Sequence, residues 1–352
     1  MPVVSADTIR KMTFHLFEAA GAPQEYAETM AEHITQANLI GQDSHGLFRV
    51  PQYLNDVKQG RTDPEARPEV ILDTPAVAVV NGRRTFGQVV GKFATELAME
   101  KAKDSIISMV TFCNMGHTGR VGTYPEMVAR AGMAALMWTG IIGGPVVPVV
   151  PFGGREGRLC TNPIAMSFPC GMGDPVLLDF ATSMAAEGKI RVFRNRGERL
   201  PDVWILDKNG NPSRNPEDLY SGGLMLPIGG VTGGHKGYAL CFLIGLLGGT
   251  LPHMACCGTR EDHIGATIVV IDVGRLVPPE DLKEAVDGLI RYVKDTPPME
   301  GFKEVMYPGE IASRTRKERL QKGIPIEDVT WRTVMGFVKE FGLEKTLAPL
   351  PS

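Results

Sequence analysis

Two histidines set in glycine-bounded turns are the residues of this chain best suited to move a proton. His45 lies in Asp43-Ser44-His45-Gly46, with Arg49 four residues further on, one helical turn along, and Tyr53 a turn beyond that. A histidine near neutral pKa exchanges a proton with a hydroxyl or carbonyl, and an arginine fork grips a carboxylate through two hydrogen bonds. A helix cap beside a surface arginine is the alternative. His117 lies in Asn114-Met115-Gly116-His117-Thr118-Gly119-Arg120-Val121-Gly122, directly after an apolar run ending at Phe112. Loops leaving strand ends are where α/β proteins hold ligands. The three glycines let backbone approach a ligand closely or open a helix N-terminus toward an anion, unless the segment is simply a glycine-rich turn.

Three further segments mix turn residues with polar side chains: Thr161-Asn162-Pro163, Leu178-Asp179-Phe180-Ala181-Thr182-Ser183, and Gly233-Gly234-His235-Lys236-Gly237-Tyr238. Asp179, at the end of an apolar strand, orients a histidine or joins a proton relay, or else caps the next turn. Lys236, in a glycine-rich entry to an apolar helix, is placed to neutralise a cofactor phosphate, or is a surface lysine. The spacing around His117 is G-x-x-G-x-x-G, and no G-x-G-x-x-G stands between a strand and a helix. The P-loop, H-E-x-x-H and G-x-S-x-G signatures are also missing, which disfavours kinases, zinc proteases and serine hydrolases.

Positioning these residues falls to a mixed α/β chain. Ser5 caps a helix with Ile9, Met12, Leu16 and Phe17 on one face, stopped at Gly21. A second helix follows from Pro23 to Gly41, and a third short one covers Leu47 to Lys58. From Ala76 the pattern alternates. Ala76–Val80, Ile106–Phe112, Ala134–Trp138, Val176–Leu178 and Ala266–Ile271 read as strands. Gln88–Lys103, Tyr124–Ala131, Tyr238–Leu247 and Pro279–Lys294 read as helices. The tail returns to amphipathic helix from Trp331 to Phe341. The expected organisation is a mainly helical substrate and dimer domain from residues 1–75 plus 312–352, around an α/β domain of residues 76–311.

Of 352 residues, 43% are hydrophobic and 22% charged, an ordinary globular balance. The 37 basic and 40 acidic residues are interspersed, so no basic stripe invites nucleic acid. The run from Met133 to Phe152 carries Gly140, Gly143, Gly144, Pro145, Pro148 and Pro151, which suits a buried strand and loop and not a membrane span. The cysteines Cys113, Cys160, Cys170, Cys241, Cys256 and Cys257 form no C-x-x-C pair, so neither a zinc site nor a disulfide framework is expected. The first residues lack a secretory signal pattern, which points to the cytoplasm.

Taken in order, these segments resemble the malate/L-lactate dehydrogenase family, which also holds sulfolactate and ureidoglycolate dehydrogenases and cyclic ketimine reductases. The resemblance rests on Asp43-Ser44-His45-Gly46 with Arg49, Pro51 and Tyr53, then Gly116-His117-Thr118-Gly119, Thr161-Asn162-Pro163, Leu178-Asp179 with Ala181-Thr182-Ser183, His235-Lys236-Gly237-Tyr238, and Tyr307-Pro308-Gly309-Glu310. It implies a cytoplasmic homodimer with a non-Rossmann nicotinamide-binding fold and help from the partner at the site. It also implies interconversion of a small 2-hydroxy acid and its 2-oxo acid. In that picture His117 accepts the hydroxyl proton, and His45 with Ser44, Arg49 and Tyr53 binds the substrate. Gly119, Asn162, Pro163, Asp179, Phe180, Ala181, Lys236 and Gly309 meet NAD or NADP, with Asp179 also supporting the relay. The residues before His117, Asn114-Met115-Gly116, depart from the family's usual polar pattern and leave substrate preference open. Arg191, Arg194, Arg196 and Arg199 are more basic residues than a cofactor loop needs; one of them can meet a second carboxylate or a 2′-phosphate, or they are solvated surface charges. Reduction of a cyclic imine by NADPH is the close alternative; a metal-dependent lyase or hydrolase is the one from another class.

Overall fold

The computed structural model describes residues 1–141, 148–256 and 264–348; Cys257 and the Gly143, Gly144 and Pro145 part of the apolar run lie outside the described residues. Helix α1 (Ala6–Ala19) begins at Ser5, whose hydroxyl accepts the Thr8 N–H at 3.1 Å, and α2 (Gln24–Leu39) follows across Gly21. After the short turn Asp43–His45 comes α3 (Val50–Lys58), with Pro51 in its first turn. Ile9, Leu16, Phe17, Met30 and Leu54 pack with Trp331, Val334 and Phe337 from the far end of the chain. Val3–Val4 also pairs antiparallel with Ile324–Pro325, so both chain ends share one core.

Among the described residues the central sheet has seven strands: β1 (Glu69–Asp73), β2 (Val77–Asn81), β3 (Ile107–Met115), β4 (Ala134–Gly140), β5 (Ile164–Phe168), β6 (Val176–Phe180) and β7 (Ile264–Ile271). Their spatial order is β1-β2-β3-β7-β4-β5-β6. Only β2 and β3 run parallel, joined through helix α4 (Gly87–Ser105); every other neighbouring pair is antiparallel. A doubly wound dinucleotide sheet is mostly parallel, whereas this mixed α/β sheet is mostly antiparallel. Ala94, Ala98 and Ala102 let α4 sit close on Val80, Val110 and Phe112, and α5 (Thr123–Arg130) adds Tyr124 and Val128 to the same core.

Helix α6 (Glu187–Arg196) packs Ile190 against Leu200 and Trp204 beside a small three-stranded sheet. Helix α7 (Gly230–Gly245) runs on through Leu246–Thr250 to Cys256 and turns small residues inward. A Cβ on Gly248 would lie 2.9 Å from the Gly140 nitrogen, so only glycine allows that approach to β4. Its outer stripe is apolar and exposed: Phe242, Leu243, Leu246, Leu247, Leu251 and Met254. By length and composition Gly230–Cys256 is apolar enough to cross a membrane, with 39% of its most apolar window buried in this fold. Helices α8 (Pro279–Lys294), α9 (Glu310–Lys322) and α10 (Asp328–Glu340) follow, then a short helix at Glu344–Leu347.

Candidate functional site

The loop between β3 and α5 carries His117. Gly119 takes φ +70° there, and a side chain on it would strike His33 Nε2 at 2.2 Å, so glycine is required for the loop to close on α2. The closure aims the Gly119 N–H at His117 Nδ1, 3.1 Å away, with Tyr53 Oη 2.8 Å from the same nitrogen. A backbone N–H can only donate. Nδ1 is therefore unprotonated, Tyr53 donates to it, and the neutral ring carries its proton on Nε2.

His45 comes from the Asp43–His45 turn, which buried Asn38 of α2 brackets. Its amide nitrogen donates to Asp43 Oδ1 at 2.7 Å and its Oδ1 accepts the Leu47 N–H at 2.8 Å. Ser44 Oγ lies 3.1 Å from His45 Nδ1, and the His45 and His117 rings stack 5.8 Å apart, 21° from parallel. Arg49 is tied back by its Nε to the Ser44 carbonyl at 3.0 Å.

Burial, the largest effect, holds His117 well below its ordinary range, with Arg49, His45 and His33 adding to the depression. Burial and then Arg49 bring His45 down to about 4 against the opposing pull of Asp179. His33 falls to about 3 through burial, Arg120 and His45. Tyr53 is pushed up by burial, which keeps it a phenol. The cluster is thus a set of neutral donors and acceptors beside the Arg49 cation.

Asp179 stands at the end of β6, where its Oδ2 accepts Arg120 Nε at 3.3 Å and Gln42 Nε2 at 3.2 Å. Ser44, His45, Arg49, His117, Gly119, Asn162, Pro163, Asp179, Phe180 and Ala181 line one cavity of about 620 Å³. That volume suits a nicotinamide ring with a small acid. The buried Thr139 hydroxyl on its wall has no partner among the described residues, a polar hook of the kind an amide-bearing ring would satisfy.

Three expected site residues are placed elsewhere. Tyr53 sits behind His117, buried and off the cavity wall. Lys236 is exposed on α7 away from the wall, and Gly309 packs on Pro175 and Leu177. Asn162 reaches the wall but spends its amide on the backbone: Oδ1 accepts the Ile141 N–H at 3.1 Å and Nδ2 donates to the Cys241 carbonyl at 3.1 Å. It shapes the wall. Gln42, Thr139 and Lys189 line the cavity without having been singled out; nothing in their local spacing marks them.

The family model described as malate/L-lactate dehydrogenase matches residues 4–335. A malate dehydrogenase of Pyrococcus horikoshii is 32% identical over 350 residues, covering 97% of this chain and 96% of that protein. Among solved structures, the malate dehydrogenase from Entamoeba histolytica superposes with a TM-score of 0.91 at 26% identity, covering 100% of this chain and 99% of that one. The Δ1-piperideine-2-carboxylate reductase from Pseudomonas syringae gives 0.80 at 26% identity, over 96% and 100%.

Proposed function

Because this chain belongs to the malate/L-lactate dehydrogenase family, and so interconverts 2-hydroxy and 2-oxo acids, we propose that His117 is its acid–base residue, with His45 and Arg49 seating the substrate carboxylate. The observation that carries this reading is the stacked, neutral histidine pair beside Arg49 in a cavity that Tyr53 supports from behind. A bound nicotinamide supplies the hydride. Gly119, Pro163, Asp179, Phe180 and Ala181 would hold its ring end, with Thr139 free for the amide and with Lys236 and Gly309 further out.

The chain's own part is charge and proton placement. A substrate carboxylate on Arg49 cancels the second-largest influence holding His117 neutral, so binding the anion raises the affinity of His117 for a proton. In reduction the ring, protonated on both nitrogens once the anion is bound, gives its Nε2 proton to the oxygen of the 2-oxo acid and is left neutral with the proton on Nδ1; in oxidation that Nδ1–H form takes the hydroxyl proton at Nε2. Tyr53 can follow both states, because its hydroxyl donates to a bare Nδ1 and accepts from a protonated one, in which state the Gly119 N–H contact is given up.

The working form in this reading is a cytoplasmic homodimer joined across the exposed apolar stripe of α7. Whether the cofactor is NAD or NADP is decided by the same assay as the substrate. NADH or NADPH absorbance is followed as pyruvate, oxaloacetate, 2-oxoglutarate, phenylpyruvate or piperideine-2-carboxylate is added. Oxidation with a 2-oxo acid supports the reading; oxidation with the imine alone replaces it by the ketimine one.

A further inference from the structure

We infer that helix α9 is the strut that fixes the His45 turn relative to Asp179, and that Arg319 acts on the reaction as a positioning residue. The inference rests on the site reading above. Arg316 and Arg319 are three residues apart and so share one helical face. Arg319 forks onto Asp43, Nη1 to Oδ1 at 2.6 Å and Nη2 to Oδ2 at 2.9 Å, and also donates to the Asn38 carbonyl. This grips the turn that carries Ser44 and His45. Arg316 donates to Glu126 at 2.7 Å, and Glu126 accepts from Arg120 at 2.7 Å. Arg120, 2% exposed, then reaches Asp179, and Gln42 joins Asp179 back to the residue next to Asp43.

The contacts therefore form a closed ring, α9–Asp43–Gln42–Asp179–Arg120–Glu126–α9, with the cavity on one side. The start of α9 is pinned to the same strand as Asp179, since the Leu177 N–H donates to the Pro308 carbonyl at 3.1 Å. Only Glu310 of α9 is buried, so ion pairs and not an apolar stripe hold this helix. The Asp43 side chain is about half exposed, so its pair with Arg319 adds little net stability, and the interior Arg120–Glu126 pair adds little against apolar replacements of the same shape, while a planar bidentate fork fixes position sharply. The arrangement suits placement more than strength.

Arg319→Met and Arg319→Lys are compared with the wild type at a temperature well below melting, by turnover and by the NMR titration of the His45 ring. That ring faces Ser44, Arg49, His117, Asp179 and Arg120. Loss of the fork should lower turnover about tenfold or more, as misplaced reacting groups do. The His45 titration should move up from about 4 toward the ordinary histidine range as the turn opens to water. Arg319→Lys, with one contact point instead of a fork, should fall between. A lower melting temperature with turnover and the His45 titration both unchanged would overturn the inference. The titration needs no activity, so it separates failure here from failure of the assigned reaction. Asp43→Asn, isosteric, makes the same measurement if Arg319→Met does not fold.

Discussion

At the scale of single residues, the site turns on keeping histidines neutral without leaving them unbonded. The Nδ1 lone pair of His117 is shared by Tyr53 and Gly119, and its Nε2 has no partner among the described residues. His117→Ala should therefore lower turnover by about a hundredfold to ten-thousandfold, the range for general acid–base groups, while nicotinamide affinity stays within a few-fold. Steady-state kinetics beside fluorescence titration of the reduced cofactor separates the two; unchanged turnover would move the proton transfer to His45. Burial of neutral histidines also links stability to pH. His33 titrates at about 3 and His45 at about 4 in the folded chain, both below the free value near 6.5. Below that value the unfolded chain binds the extra protons. The stabilisation is thus fully present above about pH 6.5 and is lost as pH falls toward 3 to 4, with a slope of about 1.4 kcal/mol per pH unit for each histidine. Urea midpoints should fall steadily between pH 6.5 and 4.5, and less steeply in His33→Gln; a flat profile would mean these rings already carry protons at neutral pH.

At the scale of elements, the glycine-rich loop after β3 shows why spacing was readable and partners were not. His117 and its glycines were legible because a polar, glycine-broken segment follows an apolar strand. Arg120 was not, since a lone arginine among glycines carries no periodic signal; only the fold puts Asp179, 59 residues away, against it. The same holds for α9: with charges on every side it lacks the apolar stripe that marks a helix, and its reason to fold is a set of distant carboxylates. Strand β1 was missed because all five of its residues are exposed at the sheet edge and show no alternation. Gly122 tests how tightly the loop is fitted. A Cβ there would lie 2.5 Å from Asp179 Oδ2. Gly122→Ala should push Asp179 off Arg120 and cut turnover at least about tenfold while the fold survives, as read by circular dichroism and kinetics; wild-type turnover would show that Asp179 can move without consequence.

At the scale of the whole molecule, the long helix from α7 to Cys256 reverses the usual pattern of a surface helix. Its inner face is mostly glycine and other small residues, with Ile244 and His253, because the backbone must lie close on β4, and most of the large apolar side chains are left on the outside. Leu243, 56% exposed, and Leu247, 39% exposed, stand one turn apart in the middle of that stripe. A continuous apolar surface of this kind costs free energy in water unless something covers it, and marks an interaction face. Periodicity alone read only the central part, Tyr238–Leu247, as a helix and gave no hint of which side faces out, since both sides are apolar. A second copy is the occupant that fits the homodimer reading. Leu243→Glu with Leu247→Glu places two charges on each copy's face, so the sedimentation coefficient should fall from a dimer's to a monomer's. If the wild type is a dimer and the double variant remains one, the copies meet elsewhere. If the wild type is monomeric and instead floats with lipid vesicles, the stripe belongs to a membrane surface, and the homodimer reading falls with it.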